Sequence, residues 1–320
     1  MFPGRSIAAR GASSPDNPPM HLVIPFAAPL SDAGRAAMAQ LKLPGLAARL
    51  STMEEASRDE GDEWSLSPPH ERALARERGW VGADGCLPFA AHGAVQDGLD
   101  PGDLAWGLVT PVHWRLGTEQ VSLMDPEHLG LDEAASRELF EAVEPLFTSE
   151  GFAFAWGGPT RWYAAHETLS GLPTASLDRV IGRNVDPWLT SQPEARLVRR
   201  LQNEVQMLLH THPLNADREA RGLPVVNSFW LSGCGVAQPT RPKPVRAVAT
   251  LRRFALAEDW AQWARAWQLL DAEIGHAALE RLTLCGERTA LSFQAGTRGL
   301  LGRLAARLRK ADPLALLDTL

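Results

Sequence analysis

The stretch from residue 106 to residue 165 constrains the fold most, because its hydrophobic period changes twice. Apolar side chains alternate from Trp106 to Leu116, which predicts a strand with two distinct faces. A helical pattern with an aspartate at its N-cap follows. The runs 152–156 and 161–165 then predict two strands joined by a glycine-rich turn. This β–α–β–β order predicts a small sheet lobe covered by a helix.

The rest of the chain predicts a second group of alternating strands and helices. These are a strand at 21–26, helices at 67–79, 194–211 and 259–274, and strands at 226–231, 281–285 and 289–293. The acidic residues of 54–63 predict a solvated loop, residues 237–246 a linker, and the basic residues of 298–310 a solvated C-terminal helix. Most of the eleven tryptophans fall inside the predicted elements, which favours core packing over exposed stacking sites.

Charge and cysteine content exclude several classes of protein. The 320 residues carry a formal net charge of −6, which argues against a nucleic-acid or anionic-membrane partner. No apolar run is long enough to span a bilayer. The three cysteines, Cys86, Cys234 and Cys285, are odd in number and have no metal-ligand spacing. They predict reduced thiols in a soluble cytoplasmic protein.

Motif searches leave two polar stretches as candidates for a site. The phosphate-binding, zinc-protease, serine-hydrolase and dinucleotide-binding motifs are all missing from the sequence. Residues 173–184 contain Arg179 and Arg183, donors of the kind that clamp a phosphate or carboxylate. Residues 212–233 place polar side chains just past the end of a predicted helix. For each stretch, a surface loop capped by its own side chains remains the alternative.

The second of these stretches carries a family resemblance. HPLNADREARGLPVVNSFWLSGCG, at 212–235, resembles the signature of archaeal-type cofactor-independent phosphoglycerate mutases, which belong to the alkaline phosphatase superfamily. Residues 107–154 resemble the inserted cap lobe of those enzymes. TASLDRVIGRNVDPWL is similar to another of their segments, with Asp178 kept and Leu177 in place of a histidine. Over about 20–293 the chain also resembles a bacterial family of RpfE-type regulatory proteins.

The resemblance implies an α/β fold: an alkaline-phosphatase-like core sheet flanked by helices, trimmed, with an inserted small α+β cap lobe. The implied divisions are a disordered N-terminal extension at 1–19, the first part of the core at 20–99, the cap-like lobe and return segment at 100–235, the second, shortened part of the core at 236–297, and a basic helix at 298–320. Met1 and Met20 both remain candidates for the natural start.

The resemblance also implies which residues bind substrate. They are Arg161, Asp178, Arg183, His212, Asn215, Arg218 and Asn227. The ligand that these residues imply is a small phosphorylated or carboxylated metabolite. A protein partner is left open.

Departures from the family pattern bear on catalysis. The resemblance implies a two-metal phosphoryl-transfer site with a serine nucleophile, a position open to Ser65 or Ser67. However, the first strand is followed by no carboxylate before Asp32, and Arg288 stands in a turn that should carry metal ligands. We therefore predict no metal site, no cofactor and a non-catalytic regulatory or metabolite-binding protein. The alternative is an active phosphoglycerate mutase or phosphatase that uses a serine nucleophile and Mn or Zn.

Overall fold

Two main sheets and their helices make up the part of the chain that the computed structural model describes, residues 20–118, 120–190, 192–241, 244–296 and 312–320. The five-stranded sheet has the order β2 (Met53–Glu60), β11 (Thr289–Ala295), β10 (Leu279–Cys285), β1 (Met20–Ile24) and β9 (Val245–Ala247). Strand β1 lies parallel to β9 and β10, whereas β11 runs antiparallel to β10 and β2. The carboxyl ends of β1, β9 and β10 therefore open at one edge of a mixed sheet.

Helices cover both faces of this sheet. Helices α1 (Asp32–Met38), α2 (Pro44–Ser51) and α10 (Trp260–His276) cover one face, and α3 (Pro69–Arg78) covers the other. The alternation of side chains along β1 explains this arrangement. Leu22 and Ile24 pack in the same hydrophobic cluster as α2 and α10, whereas Val23 packs beside α3. Because both faces of β1 are buried, its last three residues, Leu22, Val23 and Ile24, are all apolar.

The second sheet is antiparallel, with four strands. Its order is β6 (Ala153–Gly158), β7 (Arg161–Ala165), β3 (Ala105–Val112) and β8 (Ser228–Val236). Helices α5 (Glu133–Thr148) and α7 (Arg196–His210) pack on one face, and α4 (Phe89–Gln96) packs on the other. The remaining strands and α-helices of the described residues are a hairpin of β4 (Trp114–Leu116) and β5 (Val121–Leu123), and short helices α6 (Leu177–Val180), α8 (Pro213–Ala220), α9 (Arg252–Leu256) and α11 (Pro313–Leu317).

Most of the predicted elements are confirmed. The predicted strand 161–165 is β7, the helix capped by Asp132 is α5, and the tryptophan-rich helix 259–274 is α10. Seven of the eleven tryptophans are buried, so core packing is their main role. The fold is a mixed α/β arrangement with a central sheet flanked by helices, as predicted. Within the described residues, no helix is both long enough and apolar enough to cross a membrane.

Two segments differ from the prediction. The acidic stretch predicted as a loop forms β2 over most of its length. Its backbone pairs with β11 while most of its charged side chains remain partly or fully exposed, and charge is typical of a strand at a sheet edge. The predicted linker ends in the first residues of β9. The predicted extension 1–19 and the predicted basic helix 298–310 lie outside the described residues, and the domain boundaries stay predictions.

Candidate functional site

The ends of the three parallel strands define the edge where a ligand site is expected in a sheet of this kind. Phe26 follows β1, Arg252 begins α9 just after β9, and Glu287 follows β10. The short helix α6 also reaches this edge and carries Asp178 and Arg179, which contact Arg252 and Glu287. Side chains far apart in the sequence therefore meet at one place.

Asp178 is the centre of an ion-pair network at this edge. Its Oδ2 lies 3.1 Å from Nε2 of His70, and its Oδ1 accepts a hydrogen bond of 2.7 Å from Nε of Arg252. Burial by itself would raise the pKa of the Asp178 carboxyl. The hydrogen bond to His70 and the charge of Arg252 outweigh that effect and hold the pKa below its usual value.

The same guanidinium neutralises two more carboxylates. Nη1 of Arg252 lies 3.3 Å from Oδ2 of Asp125 and 3.3 Å from Oε1 of Glu127. Asp125, Glu127 and Asp178 are thus each paired with Arg252. In the described part of the chain, no group of three or more His, Cys, Asp or Glu side chains is arranged to hold a metal ion. The residues present do not fit the two-metal centre that the resemblance implies.

Arg179 lies next to this network and has unusual surroundings. Its side chain donates hydrogen bonds to two main-chain carbonyl oxygens, from Nη1 to Glu287 at 2.9 Å and from Nη2 to Asp62 at 3.2 Å. The residue is 3% exposed, and its Nε–H has no acceptor among the described residues. Burial, followed by the positive charges of Arg183 and Arg72, lowers the pKa of Arg179 to about 10.

A cleft of about 250 Å³ is lined by Arg183 and by Glu287, the residue whose carbonyl oxygen accepts a hydrogen bond from Arg179. Its polar and aromatic lining comprises Phe26, Ser31, Arg183, Glu258, Trp260 and Glu287. Inside it, Nη2 of Arg183 lies 2.6 Å from Oε2 of Glu287. The predicted binding residue Arg183 is therefore in a cleft at the strand ends, together with an acidic partner.

A partly buried carboxyl connects helix α3 to α6. Oε1 of Glu71 accepts a hydrogen bond of 2.6 Å from the hydroxyl of Ser176, the N-cap residue of α6. Burial raises the pKa of Glu71 to about 7, against the smaller opposing effects of His70 and the Ser176 hydrogen bond. The Glu71 carboxyl therefore keeps its proton to a higher pH than an ordinary glutamate does.

The two candidate serines occupy different environments. The hydroxyl of Ser67 is buried, accepts a hydrogen bond of 2.9 Å from the main-chain N–H of Gly85, and lies in a turn held by Asp84. Ser65 is partly exposed, and its hydroxyl donates to Oδ1 of Asp62 at 3.1 Å. Of the two, Ser65 is the one that solvent can reach.

Arg161 is held away from the cleft by a bidentate ion pair. Its Nε and Nη2 each lie 3.0 Å from an oxygen of Asp97. The hydroxyl of Tyr163 donates to the same carboxylate at 2.8 Å. These contacts tie β7 to the end of α4, so the guanidinium is occupied by an internal partner.

The predicted residues from the 212–227 stretch are also engaged internally. Nδ1 of His212 caps α8. The amide group of Asn215 both donates to and accepts from the backbone of Val226, at 2.7 and 2.9 Å. Nε of Arg218 donates to the carbonyl oxygen of Pro224 at 2.9 Å, and the residue is buried. These bonds hold α8 and its following loop in place.

The side-chain amide of Asn227 bonds the backbone of Trp114 as the main chain of a neighbouring strand would. Its amide accepts from the main-chain N–H of Trp114 at 2.7 Å and donates to the carbonyl oxygen of Trp114 at 2.9 Å. With His212 and Asn215 it lines a groove of about 790 Å³. The described residues that line the groove include no lysine or arginine, and its basic side chains are those of His210 and His212. Substrate binding by this group stays a prediction.

Sequence reasoning missed Arg252 and Glu71 as parts of the site. Arg252 lies in a region interpreted as a shortened core, and the only signal for it is a pair of arginines just after a short strand. Glu71 lies in a helix rich in charged residues, and nothing in its immediate sequence marks it as buried. In contrast, Arg288 does stand in the turn singled out from the sequence, where it pairs with Glu63 at 2.8 Å.

Comparisons with known proteins find similar structures only. No protein-family model matches the chain, and no curated protein matches it in sequence. The PH0037 protein from Pyrococcus horikoshii is 12% identical, with a TM-score of 0.41 and 87% of each chain covered. A cofactor-independent phosphoglycerate mutase from Thermoplasma acidophilum is 15% identical, with a TM-score of 0.34, and the match covers 94% of this chain and 98% of the mutase. At these TM-scores the likeness assigns neither an activity nor a ligand.

Proposed function

We propose that this chain is a non-catalytic regulatory protein that binds a small phosphorylated or carboxylated metabolite in the cleft beside Arg183. The observation that carries the proposal is Arg179. It is a buried guanidinium that makes no ion pair with a carboxylate in the described part of the chain, and it lies next to Arg183. A buried charge without a counterion is unfavourable, and an anion in the adjacent cleft relieves it.

The two arginines have different parts in this binding. Arg183 is 40% exposed in its side chain and lines the cleft, so it contacts the anionic group directly. Arg179 stays behind it, fixed by the carbonyl oxygens of Asp62 and Glu287, and adds positive potential without touching the ligand. The planar guanidinium of Arg183 suits bidentate recognition of a phosphate or carboxylate.

The scaffold in this proposal is a phosphoglycerate-mutase-like one of the alkaline phosphatase type, with the antiparallel sheet lobe as its cap. The segments 107–154, 174–189 and 212–235 support this through the sequence resemblance, which also supports a place among RpfE-type regulatory proteins. Absence of catalysis is supported by the donor set at the strand ends, where Arg252 pairs with three carboxylates. A fold on its own does not establish an activity, so the proposal rests on the cleft.

Calorimetric titration tests the binding. We expect 3-phosphoglycerate, 2-phosphoglycerate or inorganic phosphate to release measurable heat, and Arg183→Gln to weaken the affinity at least about tenfold, or about 1.4 kcal/mol. Arg137→Gln is the control, because Arg137 is an exposed arginine whose carboxylate partner, Glu133, lies on its own helix. Folded protein that takes up none of these anions contradicts the proposal.

Metal content separates this proposal from the alternative of an active mutase or phosphatase. The alternative is favoured by Ser65, whose hydroxyl is reachable and bonded to Asp62. Because the carboxylates at the strand ends pair with arginine, we expect only substoichiometric Mn and Zn after purification in their presence. Elemental analysis with a phosphatase assay checks this, and Ser65→Ala controls for the nucleophile. A tightly bound ion in every chain, or turnover that Ser65→Ala abolishes, contradicts the non-catalytic interpretation.

A further inference from the structure

The cleft beside Arg183 carries both signs of charge. Arg183 supplies the positive charge, and Glu287 and Glu258 supply two negative ones. Glu287 forms the ion pair with Arg183, whereas Glu258 is exposed and makes no ion pair among the described residues. The rings of Phe26 and Trp260 also line the cleft, and aromatic rings attract cations. Most of these groups favour a positive charge, while Arg183 favours a negative one.

Backbone strain is also concentrated at this cleft. Phe26 has φ of 57° and Glu258 has φ of 53°, and in the described part of the chain they are the only non-glycine residues with positive φ. Such conformations are unfavourable and persist only where the surrounding structure enforces them, often at ligand sites. The indole N–H of Trp263 donates a hydrogen bond of 3.0 Å to the carbonyl oxygen of Phe26 and so helps to hold its backbone in this conformation. The two strained residues both line the same cleft.

The ion pair between Arg183 and Glu287 restricts what can enter. A simple anion that binds Arg183 competes with the carboxylate of Glu287 for the guanidinium and brings two negative groups close together. A ligand that also carries an ammonium group avoids this, because its ammonium replaces Arg183 as the partner of Glu287. Arg183 then faces the anionic group of the ligand and Glu287 faces its ammonium group, so each keeps a partner of opposite charge.

We propose that the cleft selects small molecules that carry an ammonium group together with a phosphate or carboxylate, that is, amino acids or phosphorylated amino acids. The anionic group binds Arg183, and the ammonium group binds between Glu287 and Glu258 beside the aromatic rings. This inference rests on the proposed function, since it places the ligand in the same cleft. It goes further by naming the chemical class of the ligand.

Two ligand pairs test the inference by calorimetry at fixed pH and salt. O-phosphoserine and 3-phosphoglycerate share a three-carbon skeleton, a phosphate and a carboxylate, and differ in an ammonium or a hydroxyl group. Serine and glycerate differ in the same way without the phosphate. We expect the amino member of a pair to bind at least about tenfold more tightly.

Substitution at Glu258 gives the matched test within the protein. Glu258→Gln is expected to remove most of the preference for the amino ligand while leaving 3-phosphoglycerate bound equally well or better. Glu138→Gln, on the exposed side of α5, is the control and is expected to change neither affinity. Thermal melting of each variant confirms that it is folded.

The outcomes distinguish the two levels of the proposal. Equal affinity for the two members of each pair, or tighter binding of the hydroxy acid, overturns the selection of an amino group and leaves the proposed function standing. A preference that survives in Glu258→Gln overturns the role of Glu258. Failure of all four ligands to bind to folded wild-type protein removes both this inference and the proposed function.

Discussion

Replacing Trp267 with alanine is expected to lower the free energy of unfolding by about 3–5 kcal/mol, the range for deleting a large buried aromatic side chain. Trp267 is fully buried in the cluster that joins α10 to the five-stranded sheet. Its indole N–H also donates to the carbonyl oxygen of Ala27 at 3.1 Å. The substitution therefore leaves both a cavity and an unsatisfied carbonyl group. Urea denaturation, followed by circular dichroism, measures the change.

Two further variants separate packing from hydrogen bonding. Trp267→Phe keeps much of the ring but loses the donor, so we expect a loss of about 1–3 kcal/mol. Leu269→Ala is the control on the same helix. Because Leu269 is 70% exposed, we expect this substitution to change the free energy of unfolding by no more than about 0.5 kcal/mol. If Leu269→Ala lowers the free energy of unfolding as much as Trp267→Ala does, the assignment of Trp267 to the buried face of α10 is contradicted.

The tryptophan seam of α10 also connects the core to the cleft. Trp263 donates to the carbonyl oxygen of Phe26, and Trp267 donates to that of Ala27. The loop after β1, which forms part of the cleft wall, is thus fixed by two indole groups from one helix. The tryptophan seam, which the sequence pattern predicts as ordinary core, therefore also contacts the residue with the strained backbone, Phe26.

Local periodicity explains which parts of the fold were predictable. The seam of α10 and the alternation along β3 report burial directly, since each residue's side-chain direction follows from its position in a helix or strand. Strand β2 was missed because its sequence, MEEASRDE, has almost no apolar residues. Its strand conformation depends on backbone pairing with β11, more than 200 residues away in the chain. Such pairing leaves little trace in the local pattern.

The candidate site was predictable only in part, for a similar reason. Asp178 and Arg183 were identified from a stretch dense in polar residues, and both lie at the strand ends. Arg252 was not, since its significance comes from the contact with Asp178, 74 residues earlier in the chain. Burial of an ionisable group by distant segments changes its chemistry without changing its neighbours in sequence. The same limit applies to Glu71, whose environment predicts a dependence of stability on pH.

Glu71 is expected to make the protein less stable as pH rises from about 4.5 to about 7. Its ordinary pKa is 4.5, and burial raises the value in the folded protein to about 7. Between these values the unfolded chain has released its proton while the folded protein retains it, so raising the pH favours unfolding. The free energy of unfolding falls by about 3 kcal/mol in total, and the fall is complete once the pH exceeds the pKa of Glu71 in the folded protein. The contribution of Glu71 to the stability of the protein is therefore largest below pH 4.5.

Glu71→Gln isolates that contribution, because glutamine keeps an oxygen that accepts from Ser176 but never ionises. At pH 5 the variant and the wild type are expected to be about equally stable. At pH 8 the variant is expected to be more stable by about 1–3 kcal/mol, because it avoids a buried carboxylate near Asp178. Other titrating groups are common to both proteins and cancel in the difference. Urea denaturation measures the free energy of unfolding of both proteins at each pH. A difference between Glu71→Gln and the wild type that stays constant from pH 5 to pH 8 contradicts a raised pKa for Glu71. Glu138→Gln, at an exposed position, is the control and is expected to have the same stability as the wild type at every pH.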